Sequence, residues 1–198
     1  MNRTTEISTI DTALLEFSTD PDFADGIYMD TAVQLEVETQ LYTVDAIKNV
    51  IKGVVRAQKH AKRTVTGNQL TITDNVFSPE LVLLLQGGEI EYSLADPTKI
   101  VRYTPPVVGS NERGVVFHTR AWSAVYDEAG LLVQYERITY PNCQGSPISL
   151  SSQDDVFRVQ NYTIDSAPTR GQAPYVIEYL DEVPPHVAHA LLPIGGGA

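Results

Sequence analysis

Hydrophobic and polar positions alternate most cleanly at residues 33–40. Val33, Leu35, Val37 and Thr39 fall on one side; Gln34, Glu36, Glu38 and Gln40 fall on the other. A period of two with β-branched residues predicts a half-buried strand with one wet, acidic face. Residues 64–74 (TVTGNQLTITD) are also strand-like, with Leu70 and Ile72 facing one way, Thr71 and Thr73 the other, and Gly67-Asn68 as a turn. Two longer segments, 115–126 and 131–140, flank Asp127-Glu128-Ala129-Gly130 and predict a hairpin whose strands exceed the usual five or six residues. Ile90 and Tyr92 alternate with Glu89 and Glu91, and further strands are expected at 156–165 and 175–180.

One helix is signalled. Ser78 can cap it, Pro79 suits the first helical position, Glu80 favours the dipole and Gly87-Gly88 stops it. The helix, at about 79–86, is apolar nearly all round. Leu81, Leu84 and Leu85 must therefore be covered on more than one side, inside the domain or against another subunit. Residues 44–63 give a mixed signal. Val44, Ile47, Ile51, Val54 and Val55 have roughly helical spacing, but Gly53 and the pair Val54-Val55 oppose a helix, so a loop and then a strand near 54–59 is expected. Residues 1–26 read as a polar, irregular N-terminal arm, and 183–198, with Pro184-Pro185 and a closing GGGA, as a C-terminal arm. Between them, 27–182 reads as one mainly β domain, a sandwich or barrel, with no internal repeat.

Composition narrows the function. The 198 residues are 42% hydrophobic, enough for a sizeable core, which excludes intrinsic disorder. A net charge of −11 argues against binding duplex DNA or an anionic membrane. The cations are unevenly placed: Lys48, Lys52, Arg56, Lys59, Lys62 and Arg63 form the one basic patch. Cys143 is the only cysteine, so no internal disulfide and no CxxC site is expected. No apolar run approaches a membrane span, the longest being 81–85. The N-terminal residues lack an h-region and cleavage site, so synthesis in the cytoplasm is expected.

No constellation for catalysis emerges. His186 and His189 make an HxxH pair, but Pro184-Pro185 separates it from Asp181 and Glu182, and a surface tail is the plainer reading. Cys143 has no nominated base and reads as a turn cysteine. The 20–26 stretch DPDFADG has Ala24 and Asp25 where a calcium loop needs a ligand and a glycine. GSNERG at 109–114 lacks the Lys-Ser/Thr of a phosphate loop, and no GxSxG or GxGxxG occurs. Trp122, Tyr126, Tyr135 and Tyr140 sit in strands and suit packing. No catalytic residue, cofactor or metal is expected. Long strands with open edges instead invite pairing with neighbouring chains, as in an assembly subunit.

Residues 64–88 (TVTGNQLTITDNVFSPELVLLLQGG) and 135–184 (YERITYPNCQGSPISLSSQDDVFRVQNYTIDSAPTRGQAPYVIEYLDEVP), with the acidic strand at 33–40, resemble the major tail (tail tube) proteins of long-tailed phages of Gram-positive bacteria. The resemblance implies a β-sandwich or barrel with one flanking helix. It implies hexameric rings stacked into a hollow tube through which DNA passes unbound. Partners would be further copies and other tail proteins (tape measure, terminator, distal tail), and the place of action the virion. It carries no active-site residues. On that reading Glu36, Glu38 and Glu136 are candidates for the lumen, repelling phosphate. Lys48, Lys52, Arg56 and Lys59 would meet acidic surface on an adjacent subunit. The alternatives are a monomeric carbohydrate-binding β-sandwich, another tail or baseplate component, or a small hydrolase with paired carboxylates.

Overall fold

The 127–130 turn organises the sheet. In a computed structural model describing residues 8–52, 54–111, 113–149 and 159–191, strands β9 (Phe117–Tyr126) and β10 (Leu132–Gly145) pair antiparallel across it. The Asp127 carboxylate closes the turn by accepting from the backbone N–H groups of Ala129 at 2.9 Å and Leu131 at 2.8 Å. On the far side of β9 lies β1 (Ser8–Ser18), followed by the short β2 (Ile27–Met29). On the far side of β10 come β11 (Gln160–Ser166), β6 (Lys62–Asp74) and finally β3 (Ala32–Val44). The result is a mainly β chain, a curled antiparallel sheet forming a half-barrel, with two short helices. A last strand, β12 (Val176–Leu180), also pairs β10, so β10 has two partners along one edge: β12 beside 135–139 and β11 beside 143–145.

Two ribbons extend from this sheet. β4 (Ile47–Ile51) and β5 (Val54–Lys59) pair only with each other and continue β3 and β6 outwards. β7 (Glu89–Tyr92) and β8 (Ile100–Thr104) form a second small ribbon.

One sheet face buries the main core. Leu15, Phe17, Leu70, Ile72, Phe117, Tyr162 and Ile164 are fully buried beneath α1 (Pro79–Gln86). Ser78 caps α1 through its hydroxyl, which accepts from the Leu81 N–H at 3.3 Å, and the Gly87 N–H donates to the Leu83 carbonyl at 2.9 Å. Leu81 and Leu85 are buried and Leu84 is half-buried against the same cluster. The helix lies close because Gly145 carries no Cβ; one there would overlap Leu85. The other face holds a smaller cluster in which α2 (Pro185–Leu191) sets Val187 against Leu14 and Trp122, flanked by Tyr135, Leu180 and Val183.

The structure departs from the sequence reading in four places. The first 26 residues contain β1, whose Leu14, Leu15 and Phe17 are buried in the sheet rather than free as an arm. Gly67-Asn68 is no turn. β6 runs straight through it beside a register shift, and a Cβ on Gly67 would lie 2.5 Å from the Ser166 carbonyl oxygen, so glycine is needed for close strand approach. Residues 44–63 contain a strand at 47–51 as well as the expected one at 54–59. A second helix starts after Pro184, since Pro185 occupies a first-turn position where no N–H is needed. The strand expected at 156–165 is seen as Gln160–Ser166; residues 156–158, 1–7 and the GGGA tail lie outside the described residues.

Candidate functional site

Among the described residues, the face of β3, β6 and β11 opposite the core is uncovered, and it is polar from Gln34 to Gln40. Register places Glu36 beside Thr71 and Thr163, and Glu38 beside Gln69, Asp165 and then Gln144 of β10; Gln34, Thr73 and Asn161 make a third row. These rows alternate with the core rows Leu35–Ile72–Tyr162 and Val37–Leu70–Ile164, so the alternation at 33–40 does set the two faces. Neighbours are tied together: the Thr73 hydroxyl donates to Asn161 Oδ1 at 2.9 Å and Gln69 Nε2 to Asp165 Oδ1 at 2.9 Å. From 34 to 40, 69 to 73 and 161 to 165 this face holds three carboxylates, Glu36, Glu38 and Asp165, and no Lys or Arg.

The third candidate acid does not join them. Glu136 opposes Ser123, two residues from the Ile138–Ala121 pair that borders the main core, and so lies on the other face. There it accepts the Tyr179 hydroxyl at 2.8 Å, a bond that also holds that phenol above its ordinary pKa. Alternation around Glu36 and Glu38 was readable; which way Glu136 faces depends on the pairing of β10 with β9.

The basic residues gather on the ribbon. The segment 43–63 holds six of the chain's 14 Lys and Arg and one of its 25 acids. Lys48, Lys52, Arg56 and Lys59 are all exposed on β4, β5 and their turn, where Lys52 adopts a left-handed φ of 50°. Val50, Ile51, Val54 and Val55 lie between them, each about half exposed. Among the described residues the outer edge of β3 has no partner strand, and β3 is exposed along most of both faces.

A third cluster, missed in the sequence, lies under α2. Glu16 of β1 is 5% exposed; its carboxylate accepts from Trp122 Nε1 at 2.5 Å and bonds His186 Nε2 at 2.7 Å. Arg120 lies directly across on β9, over the Phe23 ring at 3.7 Å, and is held below its ordinary pKa, chiefly by burial. Arg137, next along, donates to Glu178 through Nε at 3.0 Å and Nη2 at 2.7 Å. These groups tie the ends of the chain to the sheet. A lone acid in a strand beside Trp122, over a hundred residues away, gives no local signal.

Cys143 is buried; its thiol is pushed up to about 11 by burial, with Thr119 Oγ1 3.4 Å away, which suits packing and not nucleophilic attack. Among the described residues no group of three or more His, Cys, Asp and Glu could hold a metal ion. The most exposed tyrosines, Tyr28, Tyr42 and Tyr92, stand on three separate strands, β2, β3 and β7; Tyr175 and Tyr179, also exposed, lie at and in β12.

No family model and no curated protein matches the chain. Several solved structures are similar. The tube-terminating cap of the anti-feeding prophage shares 7% identity at a TM-score of 0.46, covering 90% of this chain and 95% of that one. The six-fold symmetrised baseplate of the same particle gives 7% and 0.35, covering 91% and 97%. The PVC sheath–tube complex of an extracellular contractile injection system, in its extended state, gives 11% and 0.41, covering 86% and 92%.

Proposed function

We propose that the chain is a non-enzymatic, self-assembling subunit of a phage-type tail tube, forming rings of six that stack into a hollow conduit for DNA. The observation that carries this reading is the exposed edge of β3 beside a face that, over residues 34–40, 69–73 and 161–165, is polar with three carboxylates and no cation. An edge of 13 residues offers a full row of unpaired N–H and C=O groups, and a neighbouring copy can complete it by strand addition. Pairing that repeats around a ring removes the edges, and the polar face then becomes a continuous wall. Glu36, Glu38 and Asp165 give that wall the sign of DNA phosphate. Two of its side-chain pairs, Thr73–Asn161 and Gln69–Asp165, are already bonded to each other, and a duplex meets repulsion from the carboxylates. The basic ribbon supplies the opposite charge for contacts between copies. Tape-measure, terminator and distal tail proteins are the further partners this role requires, and the virion is its place.

Negative-stain microscopy with light scattering tests the assembly. Rings or tubes support it; a 21.8 kDa monomer at every concentration refutes it. Glu36→Lys with Glu38→Lys should leave the rings intact and slow DNA passage; unchanged ejection would remove the lumen role.

A further inference from the structure

Asp74 is a buried acid without a cation. It ends β6 at 1% exposure, and none of the ion pairs among the described residues involves it. Its oxygens accept from the Thr31 hydroxyl at 3.1 Å and the Val76 N–H at 3.0 Å, two of the roughly four acceptor directions that a carboxylate offers. A buried charge ordinarily has a partner of opposite sign. The helix beside it does not serve, since Ser78 accepts the Leu81 N–H and Glu80 already stands in the first turn of α1. Gln160 adds a second anomaly. It lies opposite Asp74 in the pairing of β11 with β6, is equally buried, and has no partner for Oε1 or Nε2 among the described residues.

Asp74 borders an open space. A cavity of about 210 Å³ lies where β2, the start of β3 and the end of β6 meet α1, with Asp74 in its wall. Phe17, Ile27, Met29 and Leu81 make most of that wall apolar, and all but Ile27 are buried. Tyr28 and Asp30, both exposed, mark the open side, and no Lys, Arg or His among the described residues lines it. The volume is below the ~300–1,000 Å³ usual for a small-molecule site, so a ligand of few atoms fits.

Chemistry selects the ligand. An anion meets two carboxylates. A bare metal ion finds no group of three or more His, Cys, Asp and Glu among the described residues. An uncharged apolar molecule leaves Asp74 without its counter-charge. A cation with an aliphatic body satisfies both the acid and the lining. We infer that the cavity binds a small aliphatic amine. Its ammonium pairs with Asp74 and donates to Gln160 Oε1, while its methylenes lie against Ile27, Met29 and Leu81. In a diamine the far ammonium meets Asp30, beside the Tyr28 ring. The site lies within one chain and stands apart from the assembly reading.

Met29 makes the test direct. The sequence holds two methionines, Met1 and Met29, so isotope labelling of their methyl groups gives the cavity its own NMR signal. Putrescine should shift the Met29 signal saturably, while n-butanol and butyrate, of like chain length, should not. Asp74→Asn should weaken putrescine and n-butylamine alike, by about tenfold or more, and Asp30→Asn should weaken putrescine alone. A Met29 signal that stays in place throughout the titration overturns the site, as does a folded Asp74→Asn variant that binds unchanged. Magnesium or potassium chloride giving the same saturable shift makes this an inorganic-cation site and overturns the amine. If Asp74→Asn does not fold, Ile27→Trp takes its place: it adds bulk to the lining and should abolish the response, and an undiminished response overturns the site.

Discussion

Glu16 is the most informative side chain to remove. It is 5% exposed, and its two oxygens serve two groups of unequal burial: Trp122, fully buried, and His186, whose side chain is 46% exposed. Glu16→Leu keeps bulk and removes both acceptors. The Trp122 N–H is then a buried donor without a partner, at a cost of about 1–3 kcal/mol. The His186 contact is half in water and adds no more than about 1 kcal/mol. The expected loss is therefore about 1–4 kcal/mol, carried mainly by the tryptophan side. His186→Ala should cost less than about 1 kcal/mol and loosen α2. Trp122 is the only tryptophan, so its fluorescence reports the site directly during urea unfolding. With a slope of ~2 kcal/mol/M, Glu16→Leu should lower the midpoint by about 0.5–2 M. A Glu16→Leu midpoint equal to that of the unmodified chain, or a His186→Ala loss as large as that of Glu16→Leu, would refute this partition.

Three further outcomes follow from the core. Ser78→Ala removes the acceptor for the Leu81 N–H and should cost about 1 kcal/mol, read by thermal unfolding. Leu85→Ala opens a void between α1 and Gly145 and should cost about 2–5 kcal/mol by the same measurement. Alkaline stability should fall in two stages. The Cys143 thiol is pushed up from 9.0 to about 11 and the Tyr140 phenol from 10.0 to about 12, both chiefly by burial. The unfolded chain therefore loses these protons first, and stability declines from about pH 9 and further from about pH 10. Tyr140→Phe should flatten the second stage, and iodoacetamide at pH 8 should label Cys143 only as fast as the protein opens.

Local chemistry made much of the fold legible in the sequence. Asp127-Glu128-Ala129-Gly130 closes its turn within a few residues, and Ser78, Pro79 and Gly87 bound α1 by contacts inside the helix. The alternation at 33–40 separated Glu36 and Glu38 from the core because period two survives any choice of partner strand. What depended on distant partners was hidden. β1 is specified by Leu14 opposite Trp122 and Glu16 opposite Arg120, pairings that span more than a hundred residues. Gly67 resembles a turn glycine in sequence, and only the nearness of the Ser166 carbonyl shows why it is there. Pro184-Pro185 looked like a break, although a proline in the first turn is compatible with the helix that follows. The cavity where β2, β3, β6 and α1 meet is assembled from four separate stretches, and no single one announces it.

The shared edge of β10 has a mechanical consequence. The two halves of the sheet, β2-β1-β9-β10 with β12 and β11-β6-β3, are joined through β10 only at Cys143–Gly145, just after Asn142 takes a left-handed φ of 49°. Elsewhere β11 pairs β6 along its full length, and β9 pairs β10 nearly so. Strand-to-strand hydrogen bonding between the halves is confined to this short seam; elsewhere they meet through the side chains of the shared core and the 30–31 link, so the seam is the most compliant line of the sheet itself. Leu85 of α1 abuts Gly145 there and limits how far the seam can open. A wall built from many such subunits would flex once per subunit, at a fixed place, while each half-sheet stays stiff.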